Sequence, residues 1–300
     1  MLDTAVQPLY LGVDGGGTKC RACVANAQGH ILGIGNAGAA NAMQGLEQTQ
    51  SSIVLSAKRA LEAAGLPEHT LGQLVVGVGL AGVNLPGVYG AMMEWVHPFA
   101  SLYLTTDLHI AGFGAHGQES GAVIITGTGS CGYVNVDGEE VMLGGHGFPL
   151  GDKGSGAWMG LEAVKAVLLA CDRLGPETQL TEAVEDRLQA RGVALAECLS
   201  RGSSRDYAQL APLVFAAANS ADAVAGKIVR EGADYISALA IKLLECNPPR
   251  LSILGGLAQP LRQWLKPSVV EQLAEPLAAP EVGAVFFAQQ QQLAARKPVV

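Results

Sequence analysis

The sequence lacks the features that mark several large protein classes. No apolar run reaches the ~18 residues of a membrane-spanning helix, and Asp3 stands where a secretory signal would be basic. No basic block offsets the net charge of −8, which argues against nucleic acid as a partner. The six cysteines are scattered, so we expect reduced thiols and a cytoplasmic protein. The phosphate-binding motif G-x-x-x-x-G-K-[ST] is also absent.

An acid and three glycines end the first apolar segment. The run from Leu9 to Val13 is followed by Asp14, Gly15, Gly16, Gly17, Thr18 and Lys19. Successive backbone N–H groups in a tight glycine turn bind anions, and hydroxyl and ammonium groups add further donors. A carboxylate such as that of Asp14 suits a hydrated divalent cation. The segment predicts a cradle for nucleotide phosphates.

A second copy of this arrangement follows about one domain later. The apolar run 122–126 ends in Gly127, Thr128, Gly129 and Ser130. In both copies a second strand, a reverse turn and a third strand come next, and the second reverse turn, Asp137–Gly138, is a strong hairpin signal. The repeat predicts two similar α/β domains whose glycine turns face each other across a cleft and hold one polyphosphate.

Six short segments, in this order and spacing, resemble the actin-like ATPase superfamily: 14–18, 40–41, 105–107, 127–130, 151–156 and 254–256. Within it, the chain is similar to the N-acetylglucosamine and glucosamine kinases. These share a family with the activator ATPases of benzoyl-CoA reductase and 2-hydroxyacyl-CoA dehydratase. The resemblance implies an α/β fold of two actin-like ATPase (ribonuclease H-like) domains with a nucleotide cleft between them.

The expected domains meet near Gly117, which would serve as a hinge because no flexible linker is present. The first domain, residues 1–117, would form the sugar and phosphate side. The second domain, residues 118–300, would form the nucleotide side. Its last helix is predicted over 283–296, and two positions for it stay open: within the second domain or packed back on the first domain.

The resemblance implies an ATP-dependent, Mg²⁺-requiring kinase that phosphorylates the 6-hydroxyl of N-acetylglucosamine or glucosamine. Asp14 would hold the Mg²⁺. Asp107 follows a buried strand and matches the family's general base, although an acid there is also a common helix N-cap. The matching sugar-binding positions are Asn41, Asp107, Gly144, Gly145, His146 and Asp152. The glycine turns with Thr18, Lys19, Thr128 and Ser130 would fix the phosphates, and Gly255 and Gly256 would contact adenosine.

Two residues depart from the family pattern near the sugar. His146 stands where a tryptophan is common, and Lys153 stands where an acid often follows the aspartate. A lysine facing the sugar would repel the ammonium group of glucosamine, which gives N-acetylglucosamine a slight preference. Both sugars remain candidate acceptors, and we expect a homodimer that binds the amino sugar and ATP and neither nucleic acid nor membrane.

Three alternatives compete with the kinase. The segment 77–82 matches the dinucleotide motif G-x-G-x-x-G, but Pro86 and Gly87 interrupt the helix that should follow. An activator ATPase needs an iron–sulfur cluster, yet Cys20 and Cys23, three apart on a predicted strand, point to opposite faces. A non-catalytic sugar sensor needs a DNA-binding segment, and a first core strand at Leu9 leaves no room for one.

Overall fold

A computed structural model describes residues 8–43, 45–117 and 120–296. The chain forms two compact units, one of Met1–Ser120 with Glu275–Val300 and one of Gly121–Ala274. The division lies near residue 117, and the segment from Glu275 belongs to the first unit. The predicted limits at residues 1, 118 and 300 lie outside the described residues.

The first unit is built on a five-stranded sheet of order β3-β2-β1-β4-β5. Its strands are β1 (Tyr10–Gly15), β2 (Cys20–Ala25), β3 (Ile31–Ala37), β4 (Val75–Leu80) and β5 (Ser101–Thr106). β4 is parallel to β1 and β5, whereas β2 pairs antiparallel with both β1 and β3. The three parallel strands end at one edge of the sheet, where functional residues collect in α/β folds.

Helices cover both faces of this sheet. They are α1 (Leu46–Ala63), α2 (Pro86–Met93), α3 (Asp107–His116) and, at the end of the chain, α12 (Pro280–Arg296). α1 packs on one face through residues such as Ile53 and Leu61, and α12 packs on the other through Val285. A Cβ at Gly12 would overlap the Glu281 carbonyl oxygen. Glycines in the strands therefore let the helices approach the sheet backbone closely.

The second unit repeats the strand order of the first in a smaller sheet, β8-β7-β6-β9. Its strands are β6 (Gly121–Thr126), β7 (Ser130–Val136), β8 (Glu139–Gly144) and β9 (Leu251–Leu254). β6 pairs antiparallel with β7 and parallel with β9, as β1 pairs with β2 and β4. Asp137 and Gly138 have φ of 53° and 90°, the left-handed conformation of a type I′ turn. The predicted strand repeat and its hairpin are confirmed.

The remaining helices all belong to the second unit. They are α4 (Gly156–Cys171), α5 (Leu180–Leu188), α6 (Val193–Leu199), α7 (Ser204–Ala208), α8 (Ala211–Asn219), α9 (Ala223–Leu244), α10 (Ala258–Arg262) and α11 (Pro267–Val270). α4, α8 and α9 share one core that contains Met159, Val214 and Ile236. Within the described ranges, no helix is long and apolar enough to cross a bilayer.

Candidate active site

Asp14 lies at the end of β1, beside Gly79 of β4 and opposite Arg21 of β2. Burial, followed by the negative charges of Asp107 and Glu281, raises the pKa of Asp14 from 3.8 to about 7. The positive charges of Lys19 and Arg21 act in the opposite direction. A carboxyl group that is costly to ionise in the free protein gains free energy when a cation lies beside it. Asp14 is therefore chemically suited to hold a divalent ion.

Asp107 is the first residue of α3, directly after β5. The N-cap of α3 is Thr106, whose hydroxyl oxygen accepts a hydrogen bond from the His109 N–H at 3.1 Å. The alternative that Asp107 is the cap is thus wrong, because its neighbour performs this function. Asp107 Oδ1 accepts from the Leu108 N–H at 3.0 Å. Helix α3 thereby fixes this carboxylate at the same sheet edge as Asp14.

Burial raises the pKa of Asp107 from 3.8 to about 6, although the backbone N–H groups of Leu108 and of Asp107 itself favour the charged form. Asp107 is thus ionised in most molecules at neutral pH, and its charge helps to keep the proton on Asp14. A carboxylate with a pKa near the working pH is an effective general base.

Asn41 lies beside the end of β4, where it forms an isolated parallel bridge with Ala81. Its Oδ1 accepts from the Met43 N–H at 3.0 Å, so its amide nitrogen is the group left to donate to a ligand. Gly82 has φ of +83°, and a Cβ there would lie 2.8 Å from Asn41 Oδ1. The bridge to Ala81 therefore places Asn41 at the same edge of the sheet as Asp14 and Asp107.

The first glycine turn, residues 16–19, joins β1 to β2. The Gly16 N–H donates to the Lys19 carbonyl oxygen at 3.0 Å, and Thr18 and Lys19 are exposed at the tip. A Cβ at Gly15 would overlap the Leu80 side chain. Neither Gly15 nor Gly16 has a positive φ. The sequence suggests that these glycines give an anion access to the backbone, but packing against Leu80 is what requires Gly15.

The second glycine turn is tied to the start of α4. The Gly156 N–H donates to the Gly127 carbonyl oxygen at 2.7 Å, and the Ala157 N–H donates to that of Thr128 at 3.2 Å. Ser130 is buried, and its hydroxyl donates to the Lys153 carbonyl oxygen at 2.8 Å. This hydroxyl joins the turn to the neighbouring loop, a contact that the sequence analysis did not foresee.

Asp152 lies against the second glycine turn in a left-handed conformation, with φ of 62°. A Cβ at Gly129 would lie 2.8 Å from Asp152 Oδ2, so glycine is needed there for the carboxylate to fit. Burial raises the pKa of Asp152, while N–H donors on Ser130 and Gly147 and the charge of His146 lower it. The structure therefore brings Asp152, His146 and the second glycine turn together.

The loop around His146 is defined by left-handed glycines. Gly144, Gly145 and Gly147 have φ of 73°, 67° and 81°, and His146 between them is exposed. The Tyr235 hydroxyl of α9 lies 3.0 Å from where a Cβ of Gly144 would be. Burial and then the charge of Asp152 raise the pKa of Tyr235. The sequence alone does not predict that Tyr235 lies here, because within an amphipathic helix nothing distinguishes it from a core residue.

Lys153 is directed toward two helices of its own unit. Its Nζ lies 3.8 Å from Glu231 Oε2 on α9 and 5.4 Å from the centroid of the Trp158 ring on α4. These contacts give the lysine a negative partner and an aromatic face. The contacts of Lys153 therefore do not support the premise that its charge faces the sugar.

Gly255 and Gly256 follow β9 and lie beside the second glycine turn. Gly255 has φ of +99°, and a Cβ there would overlap the Thr126 carbonyl oxygen. The Leu257 N–H donates to the same oxygen at 3.1 Å. Open space surrounds the Cβ position of Gly256, and the Gly256 nitrogen lies 3.9 Å from where a Cβ of Gly127 would be. The two turns of this unit thus form one continuous backbone surface.

Two sequence alternatives can be tested by the same geometry. Gly77 and Gly79 lie within β4, where a Cβ at Gly77 would overlap the Ala284 carbonyl oxygen of α12. These glycines serve helix packing, so the match to the dinucleotide motif is fortuitous. Cys20 and Cys23 lie on opposite faces of β2, as predicted: one is 3.4 Å from Ser56 Oγ and the other donates to the Glu281 carbonyl oxygen.

Comparison with known proteins identifies relatives along nearly the whole chain. The chain is 37% identical to the glucosamine kinase GspK of Vibrio cholerae, over 93% of this chain and 95% of that protein. It is 28% identical to the N-acetyl-D-glucosamine kinase of Dictyostelium discoideum, over 76% of each chain. A Chromobacterium violaceum structure, provisionally named an N-acetylglucosamine kinase, superposes with a TM-score of 0.89 at 32% identity, covering 95% of this chain and 99% of that one.

More distant structures share the architecture. The ROK family glucokinase of Streptomyces griseus superposes with a TM-score of 0.56 at 20% identity, covering 94% of this chain and 99% of that one. The actin-like α/β fold inferred from the six segments is thereby confirmed. Residues 11–288 match the family described as the BadF/BadG/BcrA/BcrD ATPases. The chain therefore belongs to the BadF/BadG/BcrA/BcrD ATPase family.

Proposed function

We propose that the protein is an ATP-dependent kinase that transfers the γ-phosphoryl group to the 6-hydroxyl of an amino sugar. The observation that carries the proposal is the pair of acids at one sheet edge, Asp14 near the end of β1 and Asp107 on the first turn of α3. Its relatives include kinases named for glucosamine and for N-acetylglucosamine.

Asp107 is the proposed general base. Its Oδ1 is held by the Leu108 N–H, which leaves Oδ2 to accept the proton of the sugar hydroxyl as the new P–O bond forms. Asn41, through its amide nitrogen, and Asp152 would hold other hydroxyls of the ring. Phosphoryl transfer passes through a loose transition state, so positioning and electrostatic stabilisation supply most of the catalysis.

The residues around Asp14 fit Mg²⁺. This ion prefers oxygen ligands and usually takes only one or two carboxylates, with water and substrate phosphate oxygens completing its coordination. The raised pKa of Asp14 fits a carboxyl group that gains a cation with the nucleotide. When bound, the ion would neutralise charge on the β- and γ-phosphates, and Lys19 at the exposed tip of the first glycine turn would add a positive charge.

The second unit would bind the rest of the nucleotide. The backbone of Gly127–Gly129 is proposed to face the phosphates, together with the hydroxyl of Thr128. The open space at Gly256 suits close approach of the adenosine moiety. Because the Ser130 hydroxyl is bound to the Lys153 carbonyl oxygen, Ser130 would contribute through the loop that it holds rather than through its side chain.

Glucosamine is the proposed preferred acceptor, with N-acetylglucosamine as the second substrate. The preference of the sequence analysis for N-acetylglucosamine depended on Lys153 facing the sugar, and Lys153 instead contacts Glu231 and Trp158. The glucosamine kinase relative has the higher identity, 37% against 28%. His146, smaller than the tryptophan common in the family, also offers less apolar surface for an acetamide methyl group.

Because ATP is the proposed donor, we also propose a cytoplasmic location.

The test is a coupled ADP-release assay with glucosamine, N-acetylglucosamine and glucose. We expect kcat/KM to be highest for glucosamine and measurable for N-acetylglucosamine. An iron–sulfur activator ATPase would instead hydrolyse ATP without stimulation by any sugar and would purify as a coloured protein. Sugar-independent hydrolysis would refute the kinase, and a tenfold preference for N-acetylglucosamine would refute the acceptor assignment alone.

The role of Asp107 is tested with a neighbouring control. Asp107→Asn keeps the shape of the side chain but removes the proton acceptor, so kcat should fall ~10²–10⁴-fold with ATP affinity little changed. Thr106→Ala removes the N-cap, which should lower the free energy of unfolding by about 1 kcal/mol while leaving kcat within a few-fold. A near-normal kcat for Asp107→Asn would assign this residue a structural role.

A further inference from the structure

Helix α9 packs one of its sides against the loop that carries Asp152. A Cβ at Gly154 would lie 2.8 Å from the Gly232 carbonyl oxygen, and a Cβ at Gly232 would lie 3.1 Å from the Gly154 Cα, so the two backbones are in close contact. Tyr235 follows Gly232 by three residues, which on a helix is the same side one turn later. Tyr235 is therefore directed toward the loops that surround Asp152.

The Tyr235 hydroxyl lies where β8 ends. It is 3.0 Å from the Cβ position of Gly144, and the same position is 3.6 Å from the Ser130 carbonyl oxygen. Glycine is needed at residue 144 for its φ of 73° and also because a Cβ there would crowd the hydroxyl. The hydroxyl thus has a defined position beside the glycine loop 144–147 and the second glycine turn.

Among the residues that the structure describes, none forms a hydrogen bond with the Tyr235 hydroxyl. The other two tyrosines of the second unit are bonded within the protein: Tyr133 donates to Glu140 Oε1 at 2.8 Å, and Tyr207 donates to the Leu199 carbonyl oxygen at 3.0 Å. The hydroxyl of a buried tyrosine usually has a partner. The half-buried hydroxyl of Tyr235 is therefore available to a ligand.

The surroundings of this hydroxyl favour a positively charged ligand group. The charge of Asp152 acts on Tyr235. Lys153, the cation next to Asp152 in the chain, is paired with Glu231 on α9, and His146 adds positive charge only when it is protonated. A ligand group beside Tyr235 therefore gains most if it is a cation that donates hydrogen bonds.

We propose that Tyr235 is a specificity-determining residue for the acceptor sugar, and that its hydroxyl oxygen accepts a hydrogen bond from the 2-ammonium group of glucosamine beside the charge of Asp152. This inference rests on the proposed function. An ammonium group has three donors and no acceptor, which suits a hydroxyl oxygen near a carboxylate. The acetamide of N-acetylglucosamine is neutral, and its acetyl group would have to fit beside Gly144. Tyr235 therefore favours the free amine.

The test compares Tyr235→Phe with the wild type on both amino sugars in the coupled ADP-release assay. Removal of the hydroxyl should lower kcat/KM for glucosamine at least about tenfold, because a hydrogen bond to a charged group is lost. The loss should lie mainly in KM, since the 2-position does not react. For N-acetylglucosamine, kcat/KM should change less than about threefold, so the ratio between the two sugars falls.

Tyr133→Phe is the matched control. It removes a tyrosine hydroxyl from the same unit, but this hydroxyl is bonded to Glu140. Tyr133→Phe should therefore lower Tm and leave the ratio between the two sugars unchanged. Tyr235→Phe should lower the ratio and leave Tm unchanged, because it breaks no hydrogen bond within the part of the chain that the structure describes.

Three results would overturn the proposal. Unchanged kcat/KM values in Tyr235→Phe would mean that the hydroxyl does not reach the sugar. Equal losses for both sugars would show that Tyr235 does not distinguish the two substituents. A selective loss with N-acetylglucosamine would place the acetamide, and not the ammonium, at the hydroxyl. None of these results affects the kinase assignment, which depends on sugar-dependent ADP release by the wild type.

Discussion

The raised pKa of Asp14 predicts how the stability of the protein depends on pH, independently of catalysis. The raised pKa means that the folded, ligand-free chain binds a proton at Asp14 more tightly than the unfolded chain does. Stability from this source is fully present below about pH 4 and is lost as pH rises through about 7. The Asp14→Asn variant has no carboxyl group to ionise at this position, so it does not lose this stability as pH rises. The variant should therefore become progressively more stable than the wild type between these limits, with a constant advantage above them.

The magnitude follows from the size of the shift. A change from 3.8 to about 7 corresponds to an upper limit of about 4 kcal/mol at 1.36 kcal/mol per pH unit. Asp14 is only partly buried, so solvent screening reduces this limit, and we expect about 1–3 kcal/mol. In a unit of roughly 150 residues this raises Tm by about 3–10 °C at pH 8.

The assay is thermal unfolding of both proteins without nucleotide or metal from about pH 2.5 to about pH 8, so that the range extends below the unfolded pKa of an aspartate. Asp206→Asn is the control of opposite sign, because a hydrogen bond from the Ser203 side chain, with its backbone N–H, lowers the pKa of Asp206. Because the pKa of Asp206 lies below 3.8 in the folded chain, its stability is fully present above about pH 4 and is lost at lower pH, so the deficit of its variant should be constant above pH 4 and shrink below it. A pH-independent difference for Asp14→Asn, beside the expected trend for the control, would refute the argument that burial raises this pKa.

Two further predictions concern packing and thiol chemistry. Gly283→Ala should destabilise the protein by about 1–3 kcal/mol in denaturant titration, because its Cβ would overlap a carbonyl oxygen of α3. Gly90→Ala in α2, where nothing lies near the Cβ position, should be neutral or stabilising, and equal effects would contradict the packing argument. Burial raises the pKa of Cys20 and Cys23 to about 12, so a thiol reagent at pH 8 should label exposed Cys198 first. If the reagent labelled Cys20, Cys23 and Cys198 at one rate, β2 would be accessible to solvent and the argument from burial would be refuted.

The sequence predicts the parts of the site that depend on local pattern. Asp14 lies near the end of β1 and Asp107 directly follows β5, and parallel strands bring their carboxyl ends to one edge of a sheet. The second and third strands predicted after each glycine turn are found as β2 and β3 and as β7 and β8, because runs rich in apolar residues are bounded there by turn residues. These features need no knowledge of distant partners.

The rest depends on contacts between residues far apart in the chain. Gly77 has the spacing of a nucleotide motif, and only its proximity to Ala284 on α12 shows that it serves packing. The Ser130 hydroxyl is bound to a carbonyl 23 residues away. Lys153 has its partner on α9. In each case the residue type suggested a ligand, whereas the tertiary structure supplied a protein partner for the same group.

The position of α12 has a consequence for biosynthesis. This helix covers β1 and β4, so the unit that begins the chain is completed only by residues from 280 onward. At ~5–20 residues per second, the ribosome exposes β1 for about 10 seconds to about a minute before its covering helix exists. The second unit, Gly121–Ala274, is continuous and needs no later segment. The nascent chain should therefore finish its inserted unit first, while the opening strands wait with an uncovered apolar face that a chaperone would recognise.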